Sequence, residues 1–248
     1  MNSSFRKQLM ARSTLFNQFI LLFTMALPML ASAQSTQCDN ESLTADSSKG
    51  MRQQGLIQHT GNVIFCNKTL HLVADELILK QTPEQQTYTA NGKPVVINQR
   101  NESFHLTAKS SSSEYKPLDS SIDFNGAVNI KLINASDSQT TIKAELLTYQ
   151  FQNTDTATDK LTPLYFKAKG TPATFRIKQQ KDSEVIASAD HIDYSFEQQR
   201  LTLTGNIRFS QGESLIKAEK LIYNVTSQSW EVPQMDNQRL EIIKNPES

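Results

Sequence analysis

Leu201, Leu203, Ile207 and Phe209 alternate with Thr202, Thr204, Asn206 and Arg208 without a change of phase, and Gly205 sits in the middle of the run. A two-residue period with one apolar and one polar side is the mark of a strand with one wet face. Gly205 keeps the phase, so it reads as a bend or a close backbone approach rather than a chain reversal. In the segment that follows, Ile216 and Ala218 share one phase and Leu221, Tyr223 and Val225 the other, which predicts a bulge around Glu219-Lys220. Such a chain folds into long strands that turn a corner partway along.

The same two-part unit recurs. Thr60-Gly61-Asn62-Val63-Ile64-Phe65 leads to Ala74-Asp75-Glu76-Leu77, with the same Gly-to-Ala spacing as Gly205 to Ala218. Asn125-Gly126-Ala127-Val128 leads to Ala144-Glu145-Leu146-Leu147. A proline variant appears as Gly92-Lys93-Pro94 before Ala108, and as Gly170-Thr171-Pro172 before Ala189-Asp190. These make about five units whose spacing drifts through polar stretches such as 152–160 and 179–183, which read as surface loops. No long stretch holds the 3.6-residue period, so the chain is read as all-β, with two twisted sheets sharing strands at corners in a jelly-roll-like or β-solenoid-like fold built by repetition. The expected inward face carries Val63, Phe65, Leu77, Phe124, Val128, Ile130, Leu147, Tyr149, Phe175, Ile177, Ile192, Tyr194, Leu203, Ile207, Phe209, Leu221 and Tyr223.

Residues 1–33 read as a cleaved export signal: Arg6, Lys7 and Arg12, an apolar stretch from Phe19 to Leu27, then Ala31-Ser32-Ala33. The apolar stretch is well short of the roughly 20 residues that span a bilayer. Cleavage leaves residues 34–248 as one domain. Without the three leader cations, 22 Lys and Arg face 25 Asp and Glu, which is no footprint for nucleic acid. Cys38 and Cys66 are the only cysteines and are a candidate disulfide in an oxidising compartment. Its stabilising effect would be roughly 3–4 kcal/mol by loop-closure entropy. No metal site is expected, because His59 and His71 lack zinc-ligand spacing.

From Lys169-Gly170-Thr171-Pro172 through Ala187-Ser188-Ala189, Tyr194 and Leu203-Thr204-Gly205-Asn206 to Lys217-Ala218-Glu219-Lys220-Leu221-Ile222-Tyr223, the pattern resembles the LptA/OstA-like family of periplasmic lipopolysaccharide-transport proteins. A weaker match to the family's first half runs from Leu43-Thr44-Ala45-Asp46 through Thr60-Gly61-Asn62-Val63 and Ala74-Asp75 to Gly92-Lys93-Pro94. An additional unit lies between, near 100–167. The resemblance implies a twisted, open β-jelly roll in the periplasm whose interior receives the acyl chains of lipid A. It also implies head-to-tail stacking through edge strands, as homo-oligomer and with inner- and outer-membrane transport components of similar fold.

The residues themselves suit that job. Burying one methylene is worth about 0.8 kcal/mol, so an acyl chain needs an apolar interior and no reactive group. Val63, Phe65, Ile97, Phe175, Ile207 and Phe209 follow a motif glycine in strand phase and are the candidate lipid contacts. Leu240 and Ile242, in an alternating stretch ended by Pro246, are the candidate self-association edge. No cofactor is expected. A periplasmic strand-pairing scaffold without lipid cargo is the alternative. An enzyme is disfavoured: the acidic residues Asp75, Glu145, Asp190 and Glu219 fall at corners, and no nucleophile elbow or phosphate loop is present.

Overall fold

The computed structural model describes residues 41–234 and 240–244, apart from 83–84, 101, 156–159 and 179–183. The expected signal segment 1–33 and Cys38 lie outside the described residues.

The described chain is one antiparallel meander. Its strands are β1 Ser42–Thr44, β2 Ser47–Met51, β3 Leu56–Cys66, β4 Leu70–Gln81, β5 Gln86–Arg100, β6 Phe104–Lys116 and β7 Ser121–Asn134. They continue as β8 Gln139–Asp155, β9 Lys160–Lys178, β10 Glu184–Ser195, β11 Arg200–Gln211, β12 Ser214–Asn224, β13 Ser229–Glu231 and β14 Glu241–Lys244. From β3 to β12 every strand pairs with the next, while β1 and β2 both flank β3, and β13 and β14 both flank β12.

Every strand from β3 to β12 is bent at one line. On β3, Thr60 pairs with Glu76 and Val63 with Ala74, so Gly61-Asn62 oppose Asp75 alone. Gly126-Ala127 on β7 and Gly205-Asn206 on β11 make the same two-against-one bulge. In each case the glycine and its successor have positive φ, a conformation glycine adopts without steric cost. β5 and β9 turn the corner at Gly92-Lys93-Pro94 and Gly170-Thr171-Pro172, with cis bonds before both prolines. The predicted irregularity at Glu219-Lys220 is present, but the extra residue belongs to β11. The phase change on β12 is the partner's response to the bulge opposite it.

The aligned corners fold a single sheet lengthwise into two half-sheets, so every long strand serves both. Half-sheet I holds β1, β14 and the segments 63–66, 70–74, 95–100, 104–110, 128–134, 139–144, 173–178, 184–189, 207–211 and 214–218. Half-sheet II holds β2, β13 and the remaining segments. This is a twisted, open β-jelly roll. All seventeen residues of the expected inward face are buried between the halves. Fully burying one such Phe or Leu gains about 1.5–3 kcal/mol, which is what holds the halves together away from the corner.

Corner acids stabilise the bends. Asp46 and Asp190 accept from Asn62 Nδ2 and Asn206 Nδ2 at 3.0 and 2.8 Å. Glu145 accepts from Thr171 Oγ1, and Glu76 from Asn91 Nδ2 at 2.9 Å. Glu145 and Asp190 are among the acids that the repeat places at corners, whereas Asp46 and Glu76 are not singled out by it.

Candidate functional site: the interior and its lateral cleft

The half-sheets meet at the corner and part towards their far ends, where the hairpin turns lie. Rows of inward residues cross the molecule from strand to strand. In half-sheet I one row runs Leu43, Phe65, Leu72, Ile97, Ala108, Ile130, Ile142, Phe175, Ala187, Phe209, Ile216 and Ile242. Val63 and Ile207 lie in the neighbouring row nearer the corner. All six candidate lipid contacts are therefore on one wall of the interior. They are also closely packed, from 0% exposed at Val63, Phe175 and Phe209 to 7% at Phe65.

Two of them, Phe65 and Phe175, end an aromatic chain in which sequence parity singled out Tyr149 and Tyr194 as well, but not Tyr88, Tyr115, Phe151, Phe166 or Phe196. Phe65, Tyr88, Tyr115, Phe151, Tyr149, Phe166, Phe196, Tyr194 and Phe175 touch in succession, with ring centroids 4.8–6.3 Å apart. It crosses from one half-sheet to the other at Phe65–Tyr88 and again at Tyr194–Phe175. Burial pushes the Tyr194 hydroxyl up to about 12, and raises Tyr149 further. The Tyr149 hydroxyl donates to Gln99 Oε1 at 3.0 Å, joining half-sheet II to half-sheet I through the core.

A cavity of about 590 Å³ opens between the turn ends of the two halves. Phe104, Leu132, Thr140 and Ile177 form its half-sheet I wall, and Pro163, Tyr194, Phe196 and Val225 the opposite one. The rim is Ser103, Asn134, Ser136, Ser138, Gln199, Thr226 and Gln228, and among the described residues no lining residue is charged. Its size falls within the roughly 300–1,000 Å³ of small-molecule sites. At the C-terminal end Gln211 Nε2 donates to the Gln228 carbonyl at 3.4 Å and ties the tips together.

The interior rows also reach both ends of the sheet. Ile57, paired with the half-buried Leu79, is 45% exposed at the β2–β3 end. Ile242 and Trp230, paired with the buried Ile216 and Tyr223, are 49% and 39% exposed at the other. Leu240 is exposed beside β14. His59, His71, His105 and His191 lie on four different strands, and among the described residues no group of three His, Cys, Asp or Glu is placed to hold a metal. Cys66 is buried, and none of the described cysteines is free.

The sequence matches the family described as LptA/(LptD N-terminal domain) LPS transport protein twice in tandem, over residues 42–155 and 155–229. The chain belongs to this family. The two matches meet within β8, so the family pattern runs through the whole meander from β1 to β13. Among solved structures the chain is similar to LptH, described as the LptA homologous periplasmic component of the conserved lipopolysaccharide transport device from Pseudomonas aeruginosa. Identity is 13% over 84% of this chain and 96% of that one, with a TM-score of 0.26. So low a score carries no argument, and membership rests on the family match. No curated protein matches the sequence.

Proposed function

We propose that this chain is an exported periplasmic carrier that shields the acyl chains of lipopolysaccharide between its half-sheets and stands in a strand-paired bridge between the two membranes. Residues 1–33 are the cleaved leader, residues 34–248 the working domain, and Cys38 pairs with Cys66 to pin the segment before β1. Acyl chains enter through the lateral cleft and lie against Val63, Phe65, Ile97, Phe175, Ile207 and Phe209. The ends of the sheet, with Leu240 and Ile242 on one side and the segment from Leu43 on the other, join like partners by adding strand to strand.

The observation that carries this reading is an apolar interior that opens sideways through a cleft without a charge among its described lining residues, in a chain of the lipopolysaccharide-transport family. The exposed Ile57, Trp230 and Ile242 supply apolar surface where each end would meet another β-sandwich. Work of this kind uses burial free energy and needs no reactive group.

The close packing of the six candidate contacts favours a second reading, a strand-pairing scaffold whose core never admits lipid. Photocrosslinking in cells separates the two. A crosslinker at Phe175, compared with one at the outward, exposed Thr204, is expected to capture lipopolysaccharide at the first position only. Absence of adducts at Phe175 and at the other five positions, in folded protein, assigns the scaffold role.

A further inference from the structure

Among the described residues the cleft has no charge on its rim, yet the back of its half-sheet I wall is crowded with cations. Strand alternation places them there: Phe104 is followed by His105, Leu132 is preceded by Lys131, and Ile177 is flanked by Arg176 and Lys178. Register then groups them. Lys109 and Lys143 both pair with Asn129, two residues from Lys131 on β7. Lys143 is in turn diagonal to Arg176, because Thr141 pairs with Arg176. Diagonal neighbours across antiparallel strands lie about 7–8 Å apart, close enough for like charges to repel.

Little offsets this repulsion. Arg176 has Glu184 at 3.5 Å, whereas Lys109, Lys131 and Lys143 have no carboxylate within ion-pair distance among the described residues. The nearest corner acids, Glu145 and Asp190, are engaged by Thr171 and Asn206. On the same face, burial together with the charges of Arg100 and Lys131 lowers the pKa of His105. The outer face of half-sheet II is different, mixing Lys116 with Glu114 and Asp123 at 3.5 and 2.7 Å. A chain whose charges balance overall therefore concentrates cations on the outer face of half-sheet I, with Lys131 and Arg176 directly behind the cleft wall residues Leu132 and Ile177 and Lys109 and Lys143 nearer the corner.

We infer that this outer face, centred on Lys109, Lys131, Lys143 and Arg176, binds the phosphorylated headgroup of the lipid whose chains occupy the cleft. The inference rests on the carrier reading above and adds a recognition element for the headgroup. An amphiphile entering over the lip of half-sheet I turns its chains inward past Phe104, Leu132 and Ile177, and its phosphate outward onto Lys131 and Arg176 behind them, with Lys109 and Lys143 completing the cluster on the corner side. Phosphate oxygens shared among several cations give charge-assisted contacts and relieve the repulsion between them. A neutral headgroup gains nothing there, so the face selects for phosphate.

The test compares dodecyl phosphate with dodecyl maltoside, each below its micelle concentration, by calorimetric titration of the full mature chain. Lys109→Gln/Lys131→Gln/Lys143→Gln removes three exposed charges, and Lys49→Gln/Lys80→Gln/Lys169→Gln removes as many from half-sheet II. The expected result is about a tenfold loss of dodecyl phosphate affinity in the first triple variant only, equivalent to roughly 1.4 kcal/mol. Dodecyl maltoside binding should be unchanged in both. If the wild type binds both amphiphiles equally, or both triples lose phosphate binding equally, the inference fails while the carrier reading stands. If neither amphiphile binds, the carrier reading fails and takes the inference with it. Flotation with phosphatidylglycerol vesicles that is lost in the first triple, without discrimination between the two amphiphiles, makes the face a membrane-docking surface and overturns the assignment.

Discussion

Tyr149→Phe removes a single oxygen from the middle of the molecule. The Tyr149 hydroxyl is the donor to Gln99 Oε1, and the two residues are 0% and 2% exposed. Taking the donor away leaves the amide oxygen in a dry interior, where a buried acceptor without a partner costs about 1–3 kcal/mol. For a chain of this size that corresponds to a fall in Tm of roughly 2–12 °C. The phenyl ring keeps its packing against Phe151 and Phe166, at 5.4 and 4.9 Å, so no cavity confuses the measurement. Gln99→Met in the same background replaces the stranded amide with an apolar chain of similar shape, and most of the loss should return. Urea unfolding of wild type, both single variants and the double variant gives the coupling energy directly. A Tyr149→Phe protein as stable as wild type, or a double variant no better than the weaker single, would refute the idea that this bond clasps the half-sheets.

Gly205→Ala should cost at least about 1–2 kcal/mol, the ordinary penalty for a side chain at positive φ. Its φ is +78°, and an added Cβ would lie 2.5 Å from Asp190 Oδ2. Gly50→Ala, with nothing within 4 Å, should stay within about 0.5 kcal/mol of wild type, and equal behaviour of the two would contradict the corner geometry. At high pH the buried tyrosines decide stability. Burial raises Tyr194 to about 12, and shifts Tyr149, Tyr88, Tyr115 and Tyr223 in the same direction. Groups raised in the folded state contribute stability that is whole below the unfolded value near 10 and is lost as pH climbs towards 12. The urea midpoint should start to fall near pH 10, with tyrosinate absorbance rising together with unfolding. Full tyrosine ionisation below pH 11 in folded protein would disprove it.

How much of this was legible beforehand follows from which contacts are local. Parity alone placed Phe175 and Phe209 inside and Arg208 outside, because an antiparallel strand with one wet face writes its orientation residue by residue. Gly61, Gly126 and Gly205 marked the corners because few other residues tolerate the backbone there. The cleft was not legible. Ser103, Gln199 and Gln228 come from three separate turns and Pro163 from β9, and only the pairing of the whole sheet brings them round one opening. The Tyr149–Gln99 bond joins residues far apart in sequence, and no spacing announces it. The lysine cluster was hidden for a different reason: Lys109, Lys131 and Lys143 look like ordinary exposed strand positions until register sets them beside one another.

The unbroken neighbour-to-neighbour pairing makes the length of this protein adjustable. Each strand adds about 4.8 Å across the sheet, so one extra hairpin extends the molecule by about 10 Å with its cross-section unchanged. Only whole hairpins will do. A single added strand would reverse the direction of the last edge relative to the first, and the far end would offer its neighbour the wrong polarity. Evolution can therefore tune how far such a chain reaches in steps of two strands, while the corner line and the two apolar walls continue through every insertion.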